Sequence, residues 1–364
     1  MPFLLIAILI LAGVFIAIAL VPTRRPKQAS SKSPASIPQA QPKSVVGAEA
    51  AAAAVPYSSE LIENVVADCF KLAFDVPRFD HKISGEHAAV LESVARSVDD
   101  SVHQRDYFPR RPMLLPKLLQ ALNDSETTRQ DLVRLILEDP TLAGNVLQRA
   151  NSSFYRVSPE PVENIDRAVV FLGTEGLRGL MAAAILQPVF RVPRGSFEKF
   201  ATVTWEQAER TAVAAEKYAK LATRADPFVA QLMGLLSMLA NIVLFRLTMD
   251  KYKDQPNILP RAEVFIAAIQ AHRGRLTGLI AANWELTDMS LKALQEQEQR
   301  TPPSQMSELG RCVYFGELCG ALATLAVRDL RSAEDAQSIL QAQGLDPQTS
   351  LALWNAATAA KNGD

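Results

Sequence analysis

Proton transfer and metal ligation fall mostly to histidine and carboxylates, and this chain holds four histidines: His81, His87, His103 and His272. That is a small supply for catalysis. Glu263 precedes His272 by nine residues, two and a half helical turns, so the two face opposite sides of a straight helix and form no ready catalytic pair. His272 reads as a residual structural or capping histidine, and His81, His87 and His103 as surface residues of a polar helical stretch. Cys69, Cys312 and Cys319 are too few and too scattered for a disulfide framework, and no CxxC pair offers a zinc site, so reduced thiols fit a cytoplasmic location. There is no GxxxxGK[ST] or GxGxxG phosphate loop, no GxSxG elbow and no HExxH helix. Lys and Arg total 38 against 39 Asp and Glu, which gives no field to gather nucleic acid. Arg105, Arg110, Arg111 and Lys117, beside Tyr107 and Phe108, form too short a patch to change that expectation.

The elements that would position these residues are helical nearly throughout. From Phe3 to Val21 runs an uncharged apolar stretch, long enough at about 1.5 Å per residue to cross a ~30 Å hydrocarbon layer. No Lys or Arg precedes it, whereas Arg24, Arg25, Lys27 and Lys32 follow, so it reads as a membrane anchor with the bulk of the chain on the cytoplasmic side. Between Pro22 and Pro56 come six prolines, Ser, Gln and an alanine run, a disordered tether with an r.m.s. reach of roughly 30 Å. After Tyr57 apolar residues recur at helical spacing without a second uninterrupted span. Leu142, Val146, Leu147 and Ala150 share one face, as do Ile165, Ala168, Val169 and Leu172, and Leu177, Leu180, Met181, Ala184 and Ile185. Trp205 and Trp284 sit in apolar helical contexts that predict core packing. Asp139-Pro140, Ser332 with Asp335, and Asp346-Pro347 mark helix starts, and Gly173 and Gly344 mark stops. At Asn151 the preceding helix is expected to end, the residue tolerating the left-handed conformation while its amide and the Ser152 hydroxyl bond to exposed backbone groups.

Three segments read together resemble the HDOD family, a branch related to the HD-type metal-dependent phosphohydrolases. The first begins at Leu114 with LLPKLLQALND and continues through LVRLILEDPTLAGNVLQRANSSFYRV. The second, VENIDRAVVFLGTEGLRGLMAAAIL, places Ile165, Ala168, Leu172, Gly173 and Leu177 on the family's I-x-x-A-x-x-x-L-G pattern. The third runs from Trp205 through GLLSMLANIVLF to AHRGRLTGLIAANWEL, in the order of the family's W, A, GLLHDIG, H, G and W-L-P, with His272 on a histidine position.

The resemblance implies an all-α, multi-helix HD-like bundle, preceded here by a single transmembrane helix and a disordered linker. The expected layout is an anchor at 3–21, a linker at 22–56, a helical extension at 57–108, the HDOD-like domain at 109–300 and C-terminal helices at 301–364. It also implies a metal site held by histidine and aspartate, and here the chain departs: Ser237 and Met238 stand where the His-Asp pair belongs. A hydroxyl and a thioether do not replace imidazole and carboxylate on a divalent cation. Near Trp205, where a histidine often follows, only Glu206 of Glu206, Gln207 and Ala208 has ligand chemistry. No catalytic residue, metal or cofactor is therefore expected, and the function implied is signalling or scaffolding through unidentified protein partners. Asn151, Ser152, Phe154 and Tyr155 are candidate interaction residues. An alternative is a sensor whose old cavity holds a nucleotide or other small molecule through Gln207, Ser237 and His272; a divergent hydrolase comes last.

Overall fold

Proline at the first helical position preceded by aspartate starts three of the helices, because proline has no N–H to leave unsatisfied and the carboxylate accepts from the next two. Asp139 accepts from the N–H groups of Thr141 and Leu142, Asp226 from Phe228 and Val229, and Asp346 from Gln348 and Thr349. The computed structural model describes residues 59–79, 82–100, 111–124, 126–152, 155, 160–190, 192 and 195–359. Fourteen α-helices and no strand are found among them. In order they are α1 (Ser59–Phe74), α2 (Glu86–Asp100), α3 (Leu115–Asn123), α4 (Arg129–Leu137), α5 (Pro140–Ala150), α6 (Ile165–Leu186), α7 (Lys199–Ala222), α8 (Pro227–Ser237), α9 (Leu239–Lys253), α10 (Ala262–Asn283), α11 (Asp288–Glu298), α12 (Glu308–Ala326), α13 (Ala333–Ala342) and α14 (Pro347–Thr358). The expected anchor at 3–21 and linker at 22–56 lie outside the described residues, as do His81, His103, Arg105, Arg110 and Phe154.

The described helices belong to one compact unit, Ala53–Asp364, organised around α7. Its most extensive partner is α12, followed by α8, with α14 and α1 also against it. The approach is close because the meeting residues are small. A Cβ on Gly320 of α12 would stand 2.6 Å from the Thr211 backbone nitrogen, and one on Gly234 of α8 would stand 2.7 Å from the Ala212 Cα. Where α14 meets α7, Arg210 donates to the Ala357 carbonyl at 2.7 Å and so covers a carbonyl in the last turn of α14. At one end of the bundle Phe74, Phe200, Phe245 and Phe265 bring α1, α7, α9 and α10 together, with Phe200 stacked on Phe245 at 4.4 Å between ring centres.

The apolar stripes expected of α5 and α6 face this core, and Trp205 and Trp284 are buried. Gly173 sits at φ 66°, ψ −179°, an interruption inside α6 that makes it a kinked pair of helices, in line with the stop read there. Three expectations need correction. His87 is not a surface residue: it is 9 % exposed, with Nδ1 2.8 Å from the Tyr252 hydroxyl, because α2 lies against α9 and α10. Asn151 has φ −91°, in the right-handed region, so α5 ends without a left-handed residue there. A second long apolar run does exist, within the 27 residues Pro227–Lys253, where an 18-residue window has mean hydropathy 2.0 and is 94 % buried inside the protein. It is α8 and α9 broken at Met238, and burial of α8 and the first half of α9 by protein on all sides explains why that part is apolar all round, while Asp250 and Lys253 in the last turn of α9 are exposed.

Because the bundle depends on the α7–α12 contact, Gly320→Ala should lower unfolding free energy by about 1–3 kcal/mol in a urea titration, since the added methyl must displace backbone.

Candidate functional site

The residues where the sequence departs from an HD enzyme meet at the junction of α8 and α9. Ser237 ends α8 with 1 % exposure, and its Oγ donates to the Gly234 carbonyl at 3.0 Å instead of facing a cavity. Its own carbonyl accepts from Arg273 Nε at 3.3 Å and Nη2 at 3.2 Å. The same guanidinium pairs with Glu317 of α12 at 2.5 Å, so a fixed cation sits against this junction. Met238 is buried beside it, and Asn241, one turn into α9, directs its Nδ2 to the Met238 sulfur at 3.6 Å. The Asn241 Oδ1 is buried without a hydrogen-bond partner.

Next to the junction lies a cavity of about 110 Å³. Gln207, Met238, Asn241, Arg273 and Glu317 line one side, and α1 closes the other with Ile62, Val65, Cys69 and Phe70. Of the three polar contacts expected for a nucleotide, only Gln207 faces it. The Ser237 hydroxyl is used locally, and His272 lies on α10 toward α2, near Asp99 and Arg275. Burial holds the His272 imidazole below its ordinary value, opposed by the Asp99 carboxylate. Glu206 is paired with Arg328. The Cys69 thiol is pushed up to about 12 by burial, which keeps it from being a thiolate nucleophile or metal ligand at neutral pH.

A divalent metal does not fit these groups. Among the described residues no cluster of three or more His, Cys, Asp or Glu is placed to hold one, and the charged group bonded at the junction is a guanidinium. Sequence reading missed Arg273, Asn241, Glu317 and the cavity face of α1. Arg273 adjoins the histidine of the matched AHRG run and was within reach. Glu317 and α1 lie outside the resembling segments and have no local signal.

The Asn151 turn is built differently. The Asn151 Oδ1 accepts from the Val162 N–H at 2.7 Å, and its Nδ2 donates to the carbonyls of Val162 at 2.8 Å and Leu147 at 3.0 Å. Ser152 Oγ donates to the Arg149 carbonyl at 2.7 Å. Arg149 forms a buried pair with Glu209 of α7 and lies 4.9 Å from the Trp205 ring centre and 5.6 Å from that of Tyr155. The amide, hydroxyl and phenol thus face inward, tying α5 to the start of α6 and to α7. Of the sequence candidates, Asn151, Ser152 and Tyr155 are brought together here, and Gln207, Ser237 and His272 are not brought onto one surface. Asn151→Ala removes three bonds and should cost about 1–3 kcal/mol of stability by chemical denaturation; unchanged stability would mean the amide is free for another role.

Against known proteins, the HDOD domain matches residues 108–300, just over half the chain. No curated protein matches. Among solved structures, an HDOD domain protein of unknown function from Geobacter sulfurreducens aligns at TM-score 0.51 and 18% identity, covering 76% of this chain and 91% of that one. A candidate metal-dependent phosphohydrolase from Shewanella amazonensis SB2B aligns at TM-score 0.51 and 14% identity, covering 75% and 98%. A candidate phosphohydrolase from the same organism aligns at 0.50 and 21%, covering 74% and 96%. At these identities the structural likeness establishes the helical fold alone, and the match over 108–300 establishes the family: the chain is a member of the HDOD domain family.

Proposed function

We propose that the chain is a non-enzymatic signal-transduction or scaffolding module, tethered by its apolar N-terminal segment to the cytoplasmic face of the inner membrane and acting through protein contacts. The observation that carries the reading is the α8–α9 junction, where Ser237 and Met238 replace the His-Asp pair and Arg273 bonds the backbone. Hydrolysis on an HD-type scaffold relies on a metal to bring the pKa of water from 15.7 down toward about 7. A cation approaching this junction would lose its ligands and meet a guanidinium. Neither His272 nor Glu206 compensates as a general base, since the one lies toward α2 and the other is held by Arg328.

A nucleotide sensor is the competing reading, and the cavity weighs against it. About 110 Å³ falls well short of the roughly 300–1,000 Å³ of pockets that enclose drug-sized ligands.

Two experiments test the proposal. The purified protein should contain no stoichiometric iron, manganese or zinc by elemental analysis and should hydrolyse neither cyclic dinucleotides nor nucleoside phosphates above background. A measurable turnover abolished by Ser237→Ala or His272→Ala would instead make it a divergent enzyme. For the tether, reporters active on only one side of the membrane, fused after Pro56 and after Asp364, should both report the cytoplasm, and periplasmic activity at either point would overturn the topology.

A further inference from the structure

Helix α1 covers the face on which Ser237, Arg273 and Glu317 meet, and it matches that face poorly. Its side chains toward the cavity are Ile62, Val65, Val66, Cys69, Phe70 and Ala73, none of them charged, while the opposite wall carries Thr204, Gln207, Arg273, Tyr314 and Glu317. About 110 Å³ stays unfilled between them, so side chains on both walls forgo contacts that a close-packed pair of surfaces would make. The polar wall is also organised without help from α1. Arg273 bonds Glu317 and the Ser237 carbonyl, and the Tyr314 hydroxyl donates to Gln343 Oε1 at 3.0 Å. From α1 the Cys69 thiol reaches the Ala321 carbonyl at 3.8 Å, a weak bond.

The charged ties of α1 are arranged so that separating them strands no charge. Asp68 pairs with Arg331, between α12 and α13, at 2.8 Å. Each also has a partner on its own segment: Asp68 has Lys71 at 3.0 Å, and Arg331 has Asp335 at 2.6 Å. Both would keep an ion pair on parting, which avoids the penalty of leaving one charge uncompensated. Glu63 with Arg300 and Asp75 with Lys199 are exposed pairs that contribute little. Apolar anchoring is concentrated at one end of the helix. Ala73 and Phe74 are buried, Phe74 within the aromatic cluster, whereas from Glu60 to Asp68 only Val65 is buried. Asp75 follows at φ 56°, a left-handed residue that ends α1 beside its anchor.

We propose that α1 is a reversible lid on the face of the α8–α9 junction, anchored by Phe74, clasped by Asp68 on Arg331, and lifting from its Glu60 end to uncover Gln207, Met238 and Arg273. Local opening takes least free energy where few buried apolar contacts are broken, and in the first half of α1 those centre on Val65. The lid does not depend on the chain being catalytically silent or membrane-tethered. It rests on how α1 is packed and paired, and it remains if a turnover is found.

Hydrogen exchange of the full chain, followed by peptide mass spectrometry and corrected for intrinsic rates, reads the lid directly. Amides of residues 63–69 should exchange about tenfold or more faster than the central amides of α7 and α12, at a rate that low urea leaves unchanged because the opening exposes little surface. Asp68→Asn and Arg331→Gln should each speed α1 exchange about two- to fivefold, and their combination no more than the larger of the two, since both remove the same pair. Hydroxyl-radical footprinting then separates a lid from a fraying helix end. Met238, 3 % exposed and lining the cavity, should oxidise faster in Asp68→Asn in step with α1 exchange, while Met233, buried in α8 and not lining it, should not. Exchange of α1 at the rate of α7 and α12 in the wild-type protein would make it an integral core helix and overturn the proposal. So would Met238 oxidation that stays level while α1 exchange rises. The wild-type rates decide the matter even if a variant fails to fold, and neither readout depends on turnover or on membrane topology.

Discussion

Everything described in this bundle depends on how closely α8 and α12 can approach α7. Gly234, Gly316 and Gly320 lie against Thr211, Ala212 and Ala215, where even a methyl would collide with backbone. Such a contact gains dispersion energy over many atom pairs at short range while losing little side-chain entropy, since neither glycine nor alanine has rotamers to freeze. It also fixes relative position sharply. Glu317, next to Gly316 on α12, is thereby held where it meets Arg273, and Gly234 at the end of α8 sets the junction that Ser237 and Met238 occupy. The spacing that packs the bundle is the spacing that builds the site.

With that frame set, the electrostatics of the junction follow. In an HD-type enzyme this region would concentrate anionic and imidazole ligands whose mutual repulsion a metal relieves. Here the Arg273 guanidinium bonds both the Glu317 carboxylate and the Ser237 carbonyl. Both side chains are partly buried, 30 % and 20 % exposed, so their attraction is screened only in part and losing either would leave a charge half out of water. A second ion pair, Arg149 with Glu209, is more deeply buried and lies over Trp205, joining the α5 end of the domain to α7. Pairs like these contribute less to net stability than to fixing one arrangement of helices, because their desolvation cost offsets much of their attraction.

Helix α1 gives the site its remaining character. It lies outside the 108–300 match, yet it supplies a wall of the cavity and an aromatic ring to the cluster at the end of the bundle. A segment that is amphipathic in sequence can serve as a terminal extension or as part of a core, and only its docking distinguishes the two. Its side chains close one side of the space between α7, α10 and α12, whose lining includes Gln207, Asn241, Arg273 and Glu317 as well as apolar groups.

The sequence by itself determined the helical class, the caps at Asp139, Ser332 and Asp346, the interruption at Gly173 and the family, because periodicity, capping chemistry and backbone preference act within a few residues. It also put Ser237 and Met238 at the positions where the resemblance expects a His-Asp pair, since that is a matter of residue identity. The tertiary structure alone decided that His87 is buried against Tyr252, that the Asn151 amide turns inward to Val162, that Ser237 and His272 do not share the cavity with Gln207, and that Pro227–Lys253 is core. It alone brought Arg273 to Glu317 across 44 residues of chain and left the Asn241 Oδ1 without a hydrogen-bond partner. Those outcomes depend on which helix faces meet, and a helix's own sequence specifies that it has an apolar face without specifying what will cover it.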